Sequence, residues 1–85
     1  MSKLDKIRPL IGFANKAGKL TLGRTATESA YFRGKLELII ITPDASPKLK
    51  RFIQTVQDTP VLRVGSKDEM GKIVGRDQVA IIGVA

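Results

Sequence analysis

Leu36-Glu37-Leu38-Ile39-Ile40-Ile41-Thr42 is the stretch that decides the fold, because its centre, Leu38 to Ile41, is an uninterrupted run of large apolar residues. A short and nearly uninterrupted apolar run is typical of a strand that is buried on both faces. Ser46-Pro47 follows closely and marks a helix start, since serine can cap free N–H groups and proline fits the first helical position. A buried strand that leads directly into a helix indicates an α/β fold.

Helices and strands also alternate before this stretch. Apolar residues at helical spacing predict a first helix that ends before Gly18, with Pro9 in its first turn. A small edge strand is expected at residues 20–22. Gly23-Arg24-Thr25 is expected to open a second short helix, which closes at Arg33-Gly34.

The alternation continues after Ser46-Pro47. The predicted elements there are a helix with an apolar stripe, a strand at 61–64, a short helix that begins with a Ser66 and Glu69 capping box, and a last strand at 79–84. We therefore predict a single domain over residues 1–85, a three-layer α/β/α sandwich around a small mixed sheet of about four strands. The loops after Thr42 and Val64 should share one edge of the sheet, where ligands usually bind.

The charge of the chain indicates a polyanionic partner. The net charge is +7 and the sequence pI is about 10.2, as is common among nucleic-acid-binding proteins. Residues 1–35 hold eight cations and two anions, net +6, whereas residues 36–85 hold seven cations and six anions, net +1. The excess charge therefore belongs to the first part of the chain.

Several classes of chemistry are excluded by composition. The chain has no cysteine and no histidine, which removes disulfides, thiolate nucleophiles, zinc fingers and imidazole catalysis. The longest apolar run is too short to span a bilayer, and the opening residues lack a secretory core. We expect a cytoplasmic protein without a metal or another cofactor.

Two glycine-punctuated segments are candidates for binding an anion. The helix start at Gly23-Arg24-Thr25 leaves outward N–H groups at the positive end of a helix dipole, where phosphate binds readily. The second segment runs from Ser66 to Gly71 and on to Gly75-Arg76, and is expected to form an apolar loop with a cationic edge.

These segments carry a family resemblance. The run from Gly23 to Gly34, the strand that follows it, Asp44-Ala45-Ser46-Pro47 and the segment from Ser66 to Gly75 resemble the large-subunit ribosomal proteins that bind kink-turn RNA, usually called L-seven-Ae and L-thirty-e. Residues 10–19 are similar to a short bacterial branch called YlxQ-like. The resemblance implies a compact sandwich that grips a sharply bent RNA duplex and has no enzymatic activity.

The resemblance also implies a set of binding residues. Family members read sheared G·A pairs with Asn-Glu and a later Lys, where this chain has Thr25, Ala26 and Ser29. The residues that contact the RNA backbone are kept better than those that read the bases. The implied RNA-binding residues are Gly23, Arg24, Thr25, Ala26, Ser29, Arg33, Lys67, Gly75 and Arg76. We expect RNA binding with relaxed sequence preference, because backbone contacts supply affinity and base contacts supply selectivity.

Other interpretations of these residues remain open. Thr25 with Glu28 also fits a capping box, and Arg33 could simply complement a helix dipole. An enzyme of the receiver type is conceivable at Asp44, but the acidic pair that would hold Mg²⁺ is missing. A ribosome-associated protein-binding adaptor is the stronger alternative, and it gains if Phe13 and Phe32 form one apolar patch.

The expected partner is structured RNA with a kink-turn, ribosomal or other. Ribosomal proteins are further possible partners. The chain is expected to act as a monomer away from membranes.

Overall fold

The computed structural model describes residues 3–85, over which helices and strands alternate. In chain order the elements are α1 (Lys3–Lys16), β1 (Leu20–Leu22), α2 (Arg24–Phe32), β2 (Leu38–Ile41), α3 (Pro47–Thr55), β3 (Val61–Arg63), α4 (Lys67–Val74) and β4 (Ile81–Val84). The strands form one sheet in the order β1-β4-β2-β3. β4 is antiparallel to both β1 and β2, whereas β2 and β3 are parallel. The predicted α/β fold with a small mixed sheet is confirmed.

β2 is buried on both faces, as its apolar run predicts. Ile39 and Ile40 are both 0% exposed, and successive strand residues point to opposite faces of a sheet. Ile40 belongs to the cluster that contains Leu4 of α1 and Met70 of α4. Ile39 belongs to the cluster that contains Phe52 of α3, with Tyr31 of α2 packed against it. The sheet therefore separates an α1/α4 layer from an α2/α3 layer.

α2 lies close against the sheet because small and polar residues meet there. Thr27 is 0% exposed, and its hydroxyl lies 3.0 Å from the hydroxyl of Thr21 in β1, so both groups are hydrogen-bonded. Gly83 of β4 lies under the same contact, where an added Cβ would approach the Thr21 hydroxyl to 2.5 Å. This contact therefore holds the middle of α2 close to β1 and β4.

Pro9 differs from its predicted place in the first turn, because it lies inside α1. Its ring removes one backbone donor and disfavours a straight helix. The helix continues through this position because Leu4 and Ile11, on either side of Pro9, are both 0% exposed. Burying both side chains outweighs the local cost of the proline.

Among the helices between Lys3 and Val74, none combines the length and the apolar character that crossing a bilayer requires.

Candidate nucleic-acid interface

Three helices begin at one edge of the sheet, which we call the rim. β1, β2 and β3 all end there, at Leu22, Ile41 and Arg63, and α2, α3 and α4 start soon after them. β4 starts at the same edge, and the N–H of Gly23 donates to the carbonyl of Ile81 at 3.0 Å. The common edge predicted for the loops after Thr42 and Val64 is thus present, and the start of α2 joins it.

The N-terminus of α2 has no side-chain cap. Gly23 occupies the capping position with φ 85°, a backbone conformation that glycine adopts without strain, and no side chain accepts from the first turn. The first N–H groups of a helix lack intrahelical partners, so these groups lie open to an external acceptor. The alternative in which Thr25 and Glu28 form a capping box is not realised, because the helix already starts at Arg24 and Thr25 lies within it.

The other two helix starts at the rim are capped. Ser46 accepts from the N–H of Leu49 at 3.4 Å. Ser66 accepts from the N–H of Glu69 at 3.2 Å and lies 3.3 Å from its carboxylate, which confirms the predicted capping role of Ser66. Serine is a preferred residue at this position because its oxygen satisfies an orphan donor. Of the three helices that begin at the rim, α2 therefore differs in having no side-chain cap.

Asp44 supplies α4 with an internal anion. The N–H of Lys67 donates to both carboxylate oxygens of Asp44, at 3.2 and 3.3 Å. The hydroxyl of Thr42 and, to a smaller extent, the Lys67 amide hold the pKa of Asp44 below its ordinary value, although desolvation opposes them. Thr42 has only one hydroxyl hydrogen, and the carbonyl of Ala80 at 3.3 Å is a second acceptor for it. The charged carboxylate of Asp44 is the stronger acceptor of the two. The N-terminus of α4 is therefore already occupied.

This role of Asp44 was not predicted from the sequence. Its place directly after a buried strand, at the edge where another helix begins, is the signal that indicates such a contact. The same contact bears on the enzyme hypothesis, because the Asp44 carboxylate that such an enzyme would use already accepts from the N–H of Lys67 in α4. Among residues 3–85, no three His, Cys, Asp or Glu side chains cluster so as to hold a metal ion.

The expected RNA-binding residues on α2 separate into two ends. Arg24, Thr25 and Ala26 are exposed at the rim, and Ser29 is exposed about one turn further along. Arg33 is the C-terminal cap and lies about 13 Å from the helix start, given a rise of about 1.5 Å per residue. The backbone after Arg33 enters the opposite edge, where the N–H of Glu37 donates to the carbonyl of Val84 at 2.8 Å. Arg24 and Arg33 therefore lie at opposite ends of α2, one at the rim and one near the opposite edge.

The segment after α4 runs back along that helix to the rim. Gly75 ends α4 in the left-handed conformation, at φ 77°. The N–H of Arg76 donates to the carbonyl of Gly71 at 2.7 Å. The N–H of Val79 donates to the carbonyl of Lys67 at 3.1 Å. Gly75 and the exposed Arg76 therefore lie in the α1/α4 layer and away from the rim, whereas Lys67 lies at the rim and is half-buried.

A groove opens beside the rim between α3 and the edge strand β3. This α3–β3 groove has a volume of about 380 Å³, and two cations, Lys50 and Arg63, line it together with Gln54. Ile41 and Ile53 form its apolar part. Lys50 and Arg63 could not be singled out from the sequence, because the charge excess lies in residues 1–35 and only the fold brings α3 and β3 together.

The exposed aromatic residues do not form one patch. Phe32 is 74% exposed and packs edge-to-face near Tyr31 and Phe52, in the α2/α3 layer. Phe13 is 76% exposed but belongs to α1, on the other side of the sheet. The condition that would have favoured an adaptor through both residues is not met.

Comparison with known proteins places this geometry among related folds. The model of the Ribosomal protein L7Ae/L30e/S12e/Gadd45 family matches residues 5–85. No curated protein matches the chain.

Two solved structures are similar. A protein with unknown function from Bacillus halodurans superimposes with a TM-score of 0.80 and 28% identity, over 93% of this chain and 83% of that one. The Giardia lamblia 15.5kD RNA binding protein superimposes with a TM-score of 0.77 and 21% identity, over 93% of this chain and 70% of that one. The second likeness shows the fold alone.

Proposed function

Since the chain belongs to the Ribosomal protein L7Ae/L30e/S12e/Gadd45 family, we propose that it binds structured RNA at the rim, without enzymatic activity. The observation that carries this proposal is the uncapped N-terminus of α2 at Gly23. Outward N–H groups at the positive end of a helix dipole form a site for phosphate.

The charge at the rim supports a polyanion. Arg24 is exposed beside the open helix start, and Lys67 follows β3 at the same edge. The net charge of +7 adds attraction to any nucleic acid. Asp44 restricts the site to α2, because its carboxylate repels a phosphate at the start of α4.

The RNA that fits this surface is a kink-turn or a similarly bent duplex, by resemblance to the family. Base reading is relaxed, since Thr25, Ala26 and Ser29 replace the Asn-Glu and Lys with which family members read sheared G·A pairs. The exposed backbone amides and Arg24 then carry most of the affinity. The name of the Giardia protein, an RNA binding protein with the same fold, agrees with this partner.

The cellular setting is also part of the proposal. A monomeric, cytoplasmic protein of the YlxQ-like bacterial branch, bound to ribosomal or another structured RNA and near ribosomal proteins, agrees with the family and the charge.

An electrophoretic shift assay tests the proposal directly. A kink-turn hairpin should bind more tightly than a straight duplex of the same composition, and the affinity for both should fall steeply as salt rises. Equal affinity for the two RNAs would remove the kink-turn part of the proposal. Absence of binding to any structured RNA at low salt would remove the whole.

Arg24→Ala and Arg33→Ala form a matched pair, because both residues are exposed arginines of one helix at its two ends. Arg24→Ala should weaken binding and reduce the slope of log K against log salt by about one. Arg33→Ala should leave both nearly unchanged. A larger effect at Arg33 would contradict an RNA site at the rim and would indicate binding at the opposite edge.

A protein-binding adaptor is the second candidate, and one observation favours it. Phe32, Tyr31 and Leu36 line a depression of about 520 Å³ at the edge opposite the rim. An exposed aromatic ring beside a depression is a frequent feature of protein interfaces. The adaptor function predicts that a protein co-purifies after nuclease treatment and that Phe32→Ala abolishes this.

A further inference from the structure

We propose that the α3–β3 groove is a second backbone site, which binds a phosphate of the RNA strand that leaves the rim. This inference rests on the proposed function and adds a position to it. Lys50 projects from α3 and Arg63 from β3, so that two cations from separate elements line one depression. Among residues 3–85, no acidic side chain lines this groove.

Charge around the groove favours a polyanion over a neutral guest. α3 carries Lys48, Lys50 and Arg51 and has no Asp or Glu within Pro47–Thr55. All three of these side chains are exposed, as is Arg63. A guanidinium can bind two phosphate oxygens in parallel, whereas an ammonium acts as a compact point charge, so Arg63 orients the phosphate and Lys50 strengthens the attraction.

The apolar part of the groove fits the rest of a nucleotide. Ile41 and Ile53 line the groove together with Gln54. A volume of about 380 Å³ is in the range of small-ligand pockets, about 300–1,000 Å³. A sugar or base can therefore lie against the isoleucines while its phosphate meets the cations.

The groove is continuous with the rim. Thr42 lines the groove and also lies beside Asp44 at the edge where α2 and α4 begin. In the order β1-β4-β2-β3, the start of α2 follows one edge strand and Arg63 ends the other. Three strand spacings separate these points, or about 14 Å. An RNA bound at Gly23 reaches the groove by crossing the rim.

The decisive experiment compares two double variants of equal charge. Lys50→Ala with Arg63→Ala removes the groove cations, whereas Lys48→Ala with Arg51→Ala removes two exposed cations of α3 that do not line the groove. The affinity of both double variants is measured for a kink-turn hairpin and for the same hairpin with a single-stranded extension. Circular dichroism verifies folding.

The groove variant should bind the extended hairpin about tenfold more weakly and lower its salt slope by about two, while its affinity for the unextended hairpin changes much less. Equal losses in the two double variants would overturn the inference, because nonspecific attraction would then explain them. Unchanged affinity of the groove variant for the extended hairpin would also overturn it, while leaving RNA binding at the rim intact.

Amide chemical shifts of the wild-type protein separate this failure from failure of the proposed function. With the extended hairpin, shifts are expected at residues 23–26 and also at 41–42 and 53–54. Shifts at residues 23–26 alone would reject the groove and keep the rim. A wild-type protein that binds neither hairpin would reject the proposed function and the groove together.

Discussion

Gly71 lies in the middle of α4, where the returning chain crosses the helix so closely that a side chain has no room. A Cβ at this position would lie 2.7 Å from the carbonyl oxygens of Arg76 and Asp77. Gly71→Ala should destabilise the domain by about 1–3 kcal/mol, because backbone must move to admit the methyl group. Urea denaturation measures the change.

Gly12→Ala is the matched control for this substitution. Gly12 also lies inside a helix, α1, but its added Cβ would meet nothing within 4 Å. Alanine should there stabilise the helix by up to about 1 kcal/mol, since glycine costs more backbone entropy. Similar effects of the two substitutions would show that helix propensity, and not the crossing chain, determines the result at Gly71.

Asp44 makes the stability of the folded protein depend on pH. Its pKa is lowered in the folded protein, so its contribution is present above the unfolded value near 3.8 and is lost as the pH falls through the folded value. The stability difference between wild type and Asp44→Asn should therefore shrink as the pH falls below about 4. Chemical denaturation between pH 2 and 6 measures it.

Thr42→Val tests the cause of this lowered pKa. The Thr42 hydroxyl is the largest contribution, so its removal should raise the pKa of Asp44 towards the ordinary value. Carboxyl NMR titration reads the pKa directly. An unchanged pKa would assign the effect to the backbone hydrogen bonds and the charge of Lys67 instead.

At the scale of elements, α2 presents its exposed face to the proposed RNA at positions 25, 26 and 29. The combined change Thr25→Asn, Ala26→Glu and Ser29→Lys should increase the preference for a kink-turn hairpin over a straight duplex, because side chains that read base edges are restored. Competition electrophoresis measures this preference. A gain in affinity for both RNAs alike would indicate that the added lysine acts through charge only.

The boundaries of several elements could be predicted from local chemistry. The apolar run at β2, the serine and proline before α3, and the Ser66 capping box are local patterns whose physical causes act within a few residues. Pro9 could not be placed in the same way, because distant contacts of Leu4 and Ile11 outweigh its local preference.

The candidate site was predictable only in part, for a similar reason. The open start of α2 follows from Gly23, but the separation of Arg33 from Arg24 depends on which edge of the sheet each helix end reaches. The Asp44 contact with Lys67 joins residues 23 positions apart and requires the strand order. Sequence spacing carries little information about such neighbours.

At the scale of the whole molecule, both helix layers depend on one sheet. Ile39 and Ile40 are adjacent in β2, equally buried, and belong to opposite layers. Ile39→Val and Ile40→Val should each lower the free energy of unfolding by about 0.5–1.5 kcal/mol. Both should do so in a single transition, because each layer loses its support when the sheet unfolds.

Coincidence of two probes examines this cooperativity. Far-UV circular dichroism and the NMR signals of methyl groups in either layer should give the same midpoint in urea for both variants. Two separated transitions, one for each layer, would contradict a common unfolding unit.

Tyr31 gives the molecule an optical property that follows from its position. It is the sole tyrosine of a chain without tryptophan, and its hydroxyl accepts from the N–H of Gln57 at 2.8 Å, which ties α2 to the segment after α3. Its ultraviolet emission therefore reports on the edge opposite the rim. After correction for absorption by nucleotides, RNA bound at Gly23 should leave the tyrosine emission unchanged. A partner that covers Phe32 should alter it.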